Sequence, residues 1–168
     1  EPNLPNLRMA LGRAYRVNGR FDEALDQFFS VETLFPSNAL IPYEIGRTYE
    51  TYIGNPTAAV DSYERAVELD KDFAAPWVRL GILYYDQGNY PQSALAYEQI
   101  LALGTESADI YLQLGLAYAN VGECAKASQP LQTARTMQPD DERITDLVNS
   151  ALELCSQPTP TPGPVASP

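Results

Sequence analysis

Histidine is absent from this 168-residue chain, and cysteine, methionine and tryptophan are scarce, at two, two and one. Without imidazole there is no Ser/His or Cys/His nucleophile pair, no His-ligated zinc and no side chain that ordinarily titrates near neutrality. Carboxylates, Tyr and Lys are what remains for acid–base work. Basic residues are also few, with 11 Lys and Arg against 22 Asp and Glu, for a formal charge of −11. Such a chain is repelled by phosphate backbones and anionic lipid surfaces, so nucleic acid is not an expected partner. No apolar run reaches the roughly 18 residues of a spanning segment, and direct membrane insertion is not expected either. The sequence has no Gly-rich phosphate loop and no metal-ligand cluster. The expectation is a protein that is not an enzyme, with no cofactor and no metal. Its length and 45% hydrophobic content fit one modest domain.

What the sequence does have is a period. Segments around Gly12, Gly46, Gly81 and Gly115 align at spacings of 34, 35 and 34. Each has an apolar residue just before the Gly and a Tyr three after: Leu11 and Tyr15, Ile45 and Tyr49, Leu80 and Tyr84, Leu114 and Tyr118. The second half of each unit recurs too, as Ala24, Phe28, Val31; Ala59, Tyr63, Ala66; Ser93, Tyr97, Ile100; and Ala127, Leu131, Ala134. Steps of three and four place these residues on one helical face. Between the halves stand Asn18-Gly19, Gly54-Asn55-Pro56, Gly88-Asn89 and Gly122, where Gly accepts the left-handed conformation that ends a helix. Each unit therefore reads as a helical hairpin.

On these residues the chain resembles the tetratricopeptide repeat family, whose pattern runs W-x2-L-G-x2-Y, then A-x3-F, then P. The match covers about residues 5–141. Only the third unit keeps the Trp, as Trp77, with Arg8, Pro42 and Tyr111 in its place elsewhere; the closing Pro survives as Pro36 and Pro139, with Lys71 and Thr105 in the other units. One residue is inserted in the second unit before Gly54. The resemblance implies an all-α fold, a right-handed α-solenoid of four hairpins at about residues 5–38, 39–73, 74–107 and 108–141 within an array spanning 5–155. A Gly or Ala at the crossing lets two helices approach closely, so a large residue at Gly81 should wedge its hairpin open. Residues 141–155 carry Ile144, Leu147, Val148, Ala151, Leu152 and Cys155 as an apolar stripe and read as a capping helix. Pro42 and Pro76 fit first turns behind caps such as Asn38 and Asp72, whereas Pro130, well inside a helix, is expected to bend it on the solvent side.

Two isolated buried thiols would be the plain reading of Cys124 and Cys155. Their positions support more. Cys124 opens the last hairpin's second helix and Cys155 ends the capping helix, and both helices are about 14 residues, roughly 21 Å. The two ends should meet at one edge, where a disulfide closing about 30 residues would contribute roughly 3 to 4 kcal/mol in the entropy model. A bridge implies an oxidising, extracytoplasmic location (periplasmic, secreted or cell-surface), with the cytoplasm as the alternative. Residues 156–168, rich in Pro and Thr, read as an extended tail or linker.

The resemblance also implies where a ligand would lie. In the family, the first helices of successive hairpins line a concave surface whose exposed side chains meet an extended peptide or a partner protein. Carried over by position, that face holds Asn6, Met9, Arg13, Arg16 and Val17; Tyr43, Arg47 and Glu50; Val78, Ile82, Tyr85 and Asp86; and Leu112, Leu116, Ala119 and Asn120. Arginine forks at 13, 16 and 47 suit carboxylates, and an apolar floor with Tyr suits hydrophobic or proline-containing side chains. The alternative is that Arg13 and Arg16 simply pair with Glu50 or Asp22. Val78, Ile82, Leu112 and Leu116 recur beyond the fingerprint positions, and a contiguous apolar strip points to an interface. Two specialised modes of the family are not reproduced. The Lys/Asn clamp for a terminal carboxylate finds Met9, Arg13 and Arg47, and the asparagine ladder two residues before each Gly finds Ala10, Glu44, Arg79 and Gln113. The expected function is a non-catalytic protein–protein interaction scaffold; the alternative is an assembly or tethering module self-associating through residues 156–168.

Overall fold

The breaks set by Gly, Asn and Pro fall where helices end. The computed structural model describes residues 4–156. Among them are nine α-helices, one π-helical turn and no strand: α1 (Leu4–Val17), α2 (Phe21–Leu34), α3 (Leu40–Thr48), the π turn (Tyr49–Ile53), α4 (Pro56–Leu69), α5 (Ala74–Asp86), α6 (Tyr90–Ala102), α7 (Ala108–Val121), α8 (Cys124–Met137) and α9 (Glu142–Ser156). The expected all-α hairpin architecture is present. The tail expected from residue 157 onward lies outside the described residues. The helices form two compact units, divided between Gln87 and Gly88.

In the first unit each helix packs on the next, from α1 through α5. Met9, Ala24, Leu25, Phe28, Val31, Ile41 and Ile45 make one core cluster, with Tyr15 and Tyr49 packed against it. The fingerprint glycines are what let the paired helices come this close. A Cβ on Gly12 would sit 2.6 Å from the Phe28 ring, and one on Gly46 2.7 Å from the Tyr63 ring. Tyr63 is fully buried, and its hydroxyl donates to Glu50 Oε2 at 2.7 Å, so the ring cannot swing aside. Gly46→Ala is therefore expected to destabilise the chain by about 1–3 kcal/mol through overpacking, outweighing the roughly 1 kcal/mol of helix propensity that Ala gains over Gly. Denaturant unfolding followed by circular dichroism measures the sign, and a stabilised variant would refute the close-approach argument.

The inserted residue of the second unit has a structural counterpart. A π turn takes up one more residue per hydrogen-bonded ring than an α turn, and the run Tyr49–Ile53 adopts that geometry just before Gly54. Gly54 then takes the left-handed conformation at φ 72°, and the Asn55 amide donates back to the Tyr49 carbonyl at 2.9 Å. Asn55 Oδ1 accepts from Ala58 N at 3.1 Å and caps α4, with Pro56 in its first position.

Two expectations about helix signals need correction. Asp72 does not cap α5; its backbone N–H donates to Asp70 Oδ1 at 3.0 Å in an Asx turn, and the residue before the helix is Phe73. Asn38 likewise is not the residue before α3, which is Ala39, although its Oδ1 accepts from Leu40 N at 3.1 Å; Pro42 and Pro76 still fall within first turns. Pro130 is buried, not on the solvent side, and lies inside α8, which continues past it to Met137. Its ring adjoins Leu131, whose own amide nitrogen would lie 3.1 Å from a Cβ on Gly115. A residue that contributes apolar volume and needs no donor is tolerated at so close a crossing.

In the second unit α6 packs on α7, α7 on α8, and α9 on both α7 and α8. Ile144, Val148 and Ala151 are the buried face of α9, and Asp141 Oδ1 caps it by accepting from Ile144 N at 3.2 Å. Cys124 and Cys155 form a disulfide with a Cα–Cα distance of 5.4 Å, tying the start of α8 to the end of α9. The fingerprint tyrosines also reach backward. Tyr84 donates its hydroxyl to Glu64 within the first unit, and Tyr118 donates to Glu98 within the second. Burial first, and then the neighbouring carboxylate, pushes both phenols above their ordinary range.

Candidate peptide-binding face

The repeat register assembles the candidate face column by column. In the first unit the residues just after the fingerprint Gly are Arg13, Arg47 and Ile82, and those three before it are Met9, Tyr43 and Val78. Helix α1 carries Arg8, Arg13 and Arg16 and no acid, so its charge must be met from elsewhere. It is met by Glu44 of α3, which is only 3% exposed. Arg13 Nε donates to Glu44 Oε1 at 2.7 Å and Arg16 Nη1 to Oε2 at 2.7 Å, while Arg47 Nη1 stands 3.6 Å from Oε2. Arg16 is 5% exposed. Its guanidinium carbon lies 5.9 Å from the Phe28 ring centroid and 5.6 Å from that of Tyr52, so rings supply part of the solvation that water has lost.

A second cluster stands beside this one in the same unit. Arg79 Nε donates to Glu50 Oε2 at 2.9 Å, a further bond joins Arg79 Nη2 to Oε1, and Tyr63 shares the same carboxylate. Burial, followed by the hydrogen bond to Glu50, holds the Tyr63 phenol far above its usual range. The pairing of Arg13 and Arg16 with Glu50 or Asp22 is thus corrected: their carboxylate is Glu44, and Glu50 belongs to Arg79 and Tyr63. Glu44 is the residue that sequence reasoning missed in this role. Its signal was its place, a lone acid two residues before Gly46 on a helix whose own basic residue is Arg47.

Three of the ten expected groove residues are withdrawn from the surface. Met9 sits in the first unit's core, Leu112 is fully buried in the second, and Arg16 is sealed beneath Glu44 and Tyr52. The first two are apolar side chains on the inward side of their helices, and burial is where their energy lies. Arg13, Arg47, Tyr43, Val78, Ile82, Tyr85 and Leu116 keep exposed or half-buried side chains. Tyr43 is held edge-on to Phe73 at 5.0 Å, and the Arg47 guanidinium lies 5.8 Å from its ring. Among the described residues no three His, Cys, Asp or Glu side chains gather as a metal site, and no helix is long and apolar enough to cross a membrane.

Short connections, a Gly-spaced register and large rings seated against those glycines define a helical-hairpin repeat protein. The chain belongs to the tetratricopeptide repeat family: the model described as TPR repeat matches residues 50–88, and the one described as tetratricopeptide repeat matches residues 78–142. A solved MamA protein superposes at a TM-score of 0.80, with 28% identity over 92% of this chain and 84% of that one. The Hsp70-Hsp90 organizing protein of Triticum aestivum is 33% identical over 116 residues, 69% of this chain and 19% of its own. The formate-dependent nitrite reductase complex subunit NrfG of Escherichia coli O157:H7 is 27% identical over 104 residues, 61% of this chain and 52% of its own. This chain therefore spans about a fifth of the first of these two relatives and about half of the second.

Proposed function

We propose that the chain is a non-catalytic interaction module whose first-helix face in the first unit receives an extended segment of a partner protein. The observation that carries this reading is the charge balance there. Four arginines, at 13, 16, 47 and 79, stand against three carboxylates, Glu44, Glu50 and the exposed Asp86 at the end of α5, and only the first two are paired with them. The accessible cations are Arg13 and Arg47, whose side chains are 44% and 40% exposed. An excess of exposed cation in a chain of formal charge −11 favours an acidic group on the ligand, with Tyr43, Val78 and Ile82 receiving an apolar or proline side chain. The relatives support the class of function, since one is named as organising two chaperones and another as a subunit of a complex. The disulfide between Cys124 and Cys155 supports an extracytoplasmic location.

A displayed library of extended peptides, selected against the whole chain, tests the reading. Binders are expected to combine a carboxylate with an apolar or proline residue. Arg13→Gln with Arg47→Gln should weaken acidic binders about tenfold or more, as expected for lost charge-assisted hydrogen bonds, and leave neutral ones unchanged. Ile82→Asp should weaken both. Binders indifferent to all three substitutions would refute this face as the site.

A further inference from the structure

A solvent-facing column of the repeat changes character close to the disulfide. Two residues beyond the fingerprint small residue of each second helix stand Asp26, Asp61, Leu95 and Gln129, all exposed. Only the third is apolar, and Leu95 is 51% exposed. Val121, 39% exposed, lies six residues after Gly115, where the first and third repeats have Asn18 and Gln87 and the second, with its π turn, has Tyr52. Within the second unit these two side chains share one cavity. With Pro91, Ala94 and Tyr118 they line a volume of about 250 Å³ bounded by α6, the end of α7 and the start of α8. Its charged rim is answered internally: Lys126 Nζ pairs with Glu123 Oε2 at 2.5 Å, and Glu98 accepts the Tyr118 hydroxyl. Such a cavity suits an uncharged, apolar visitor, and its size lies below the roughly 300–1,000 Å³ of small-molecule sites.

We infer that residues 157–168 of the same chain fold back on this cavity and seat a proline in it. Chemistry, position and reach all point to this segment. It carries no charge, and Pro158, Pro160, Pro162 and Pro164 alternate with small or polar residues. A polyproline chain turns once every three residues, so that alternation places a prolyl ring on each of its sides, and whichever side meets Leu95 and Val121 presents one. The segment also starts beside the cavity. Cys155, in the last turn of α9, has its Cα 5.4 Å from that of Cys124, and Glu123 at the rim is the next residue. With successive Cα atoms about 3.8 Å apart, Glu123 lies within roughly 9 Å of Cys155. Twelve residues at about 3.1 Å each reach roughly 37 Å, well beyond that gap. A short tether gives an effective concentration on the order of millimolar, so a contact too weak to retain a free peptide holds this one. Leu95 and Val121 are apolar in this repeat because its own chain covers them.

Amide relaxation of the whole chain by NMR tests the contact. Order parameters above about 0.6, the bound below which backbone counts as flexible, are expected at Thr159, Thr161 and Gly163. Leu95→Asp with Val121→Asp should drop all three below that bound and leave circular dichroism unchanged, since both side chains are exposed. The reciprocal variant, Pro158→Ser with Pro160→Ser, Pro162→Ser and Pro164→Ser, touches no helix. It should shift the methyl resonances of Leu95 and Val121 and leave those of Ile144 and Val148, in the core beneath α9, where they are. Order parameters below the bound in the parent chain overturn the inference, as does ordering indifferent to the two aspartates. Leu95 and Val121 methyls indifferent to loss of the prolines overturn it as well. Ordering that fades on tenfold dilution assigns the contact to a second copy and overturns the intramolecular pairing.

Discussion

Glu44→Ala is expected to destabilise the chain by about 3–5 kcal/mol, the cost typical of removing one partner from a buried ion pair. The loss comes less from the missing attraction than from what stays behind. Arg16, 5% exposed, would keep its charge between the Phe28 and Tyr52 rings with no carboxylate to meet it, while Arg13 and Arg47 would add repulsion. The companion double variant Glu44→Ala with Arg16→Met separates these terms. Replacing both members of a buried pair with apolar groups is often nearly neutral, so most of the lost stability should return. Urea unfolding of the two variants against the parent chain decides it; equal stability of parent and Glu44→Ala would mean that Arg16 is solvated by some other route.

Loss of the disulfide is the second large expected effect. Cys124→Ser with Cys155→Ser, or reduction of the native chain, should lower stability by about 3–4 kcal/mol in the chain-entropy model for a loop of this length. The bridge spans a sequence separation of 31 and joins α9 to the beginning of α8. Its removal frees the helix whose Ile144, Val148 and Ala151 close the second unit, so hydrogen exchange should rise first in α9. Thermal unfolding with and without reductant reads the total. Two free thiols in the denatured, unreduced protein would remove both the bridge and the case for an oxidising compartment.

The hairpins were legible because their signals are packing requirements. A Gly at a 2.6 Å approach, a ring that fills that approach and a Gly at the turn must each recur wherever the crossing recurs. The disulfide was legible for a related reason, since equal helix lengths and a capping helix running parallel to the hairpin's first helix bring Cys124 and Cys155 to one edge. Side-chain partners across helices were harder. Arg16 and Glu44 are 28 residues apart, and nothing in the spacing ranks Glu44 above Glu50 or Asp22 as the acid that Arg16 finds. Burial was ambiguous at Met9 and Leu112 because an apolar residue three positions before the Gly serves a core and a groove floor equally well. The insertion before Gly54 was visible as a count but not as a conformation, because an extra residue can enter a loop as readily as a π turn.

The internal ion pairs of the first unit have a consequence for selectivity. Glu44 and Arg79 stand two residues before their glycines, in the column from which side-chain amides elsewhere in the family can grip a visitor's main chain. Here both are committed to arginine and carboxylate neighbours of their own chain. A segment lying on this face would find little to hold its peptide bonds and would be judged by the residues it carries. On the proposed reading, such a surface would discriminate among sequences and tolerate variation in how the visitor's backbone is laid down.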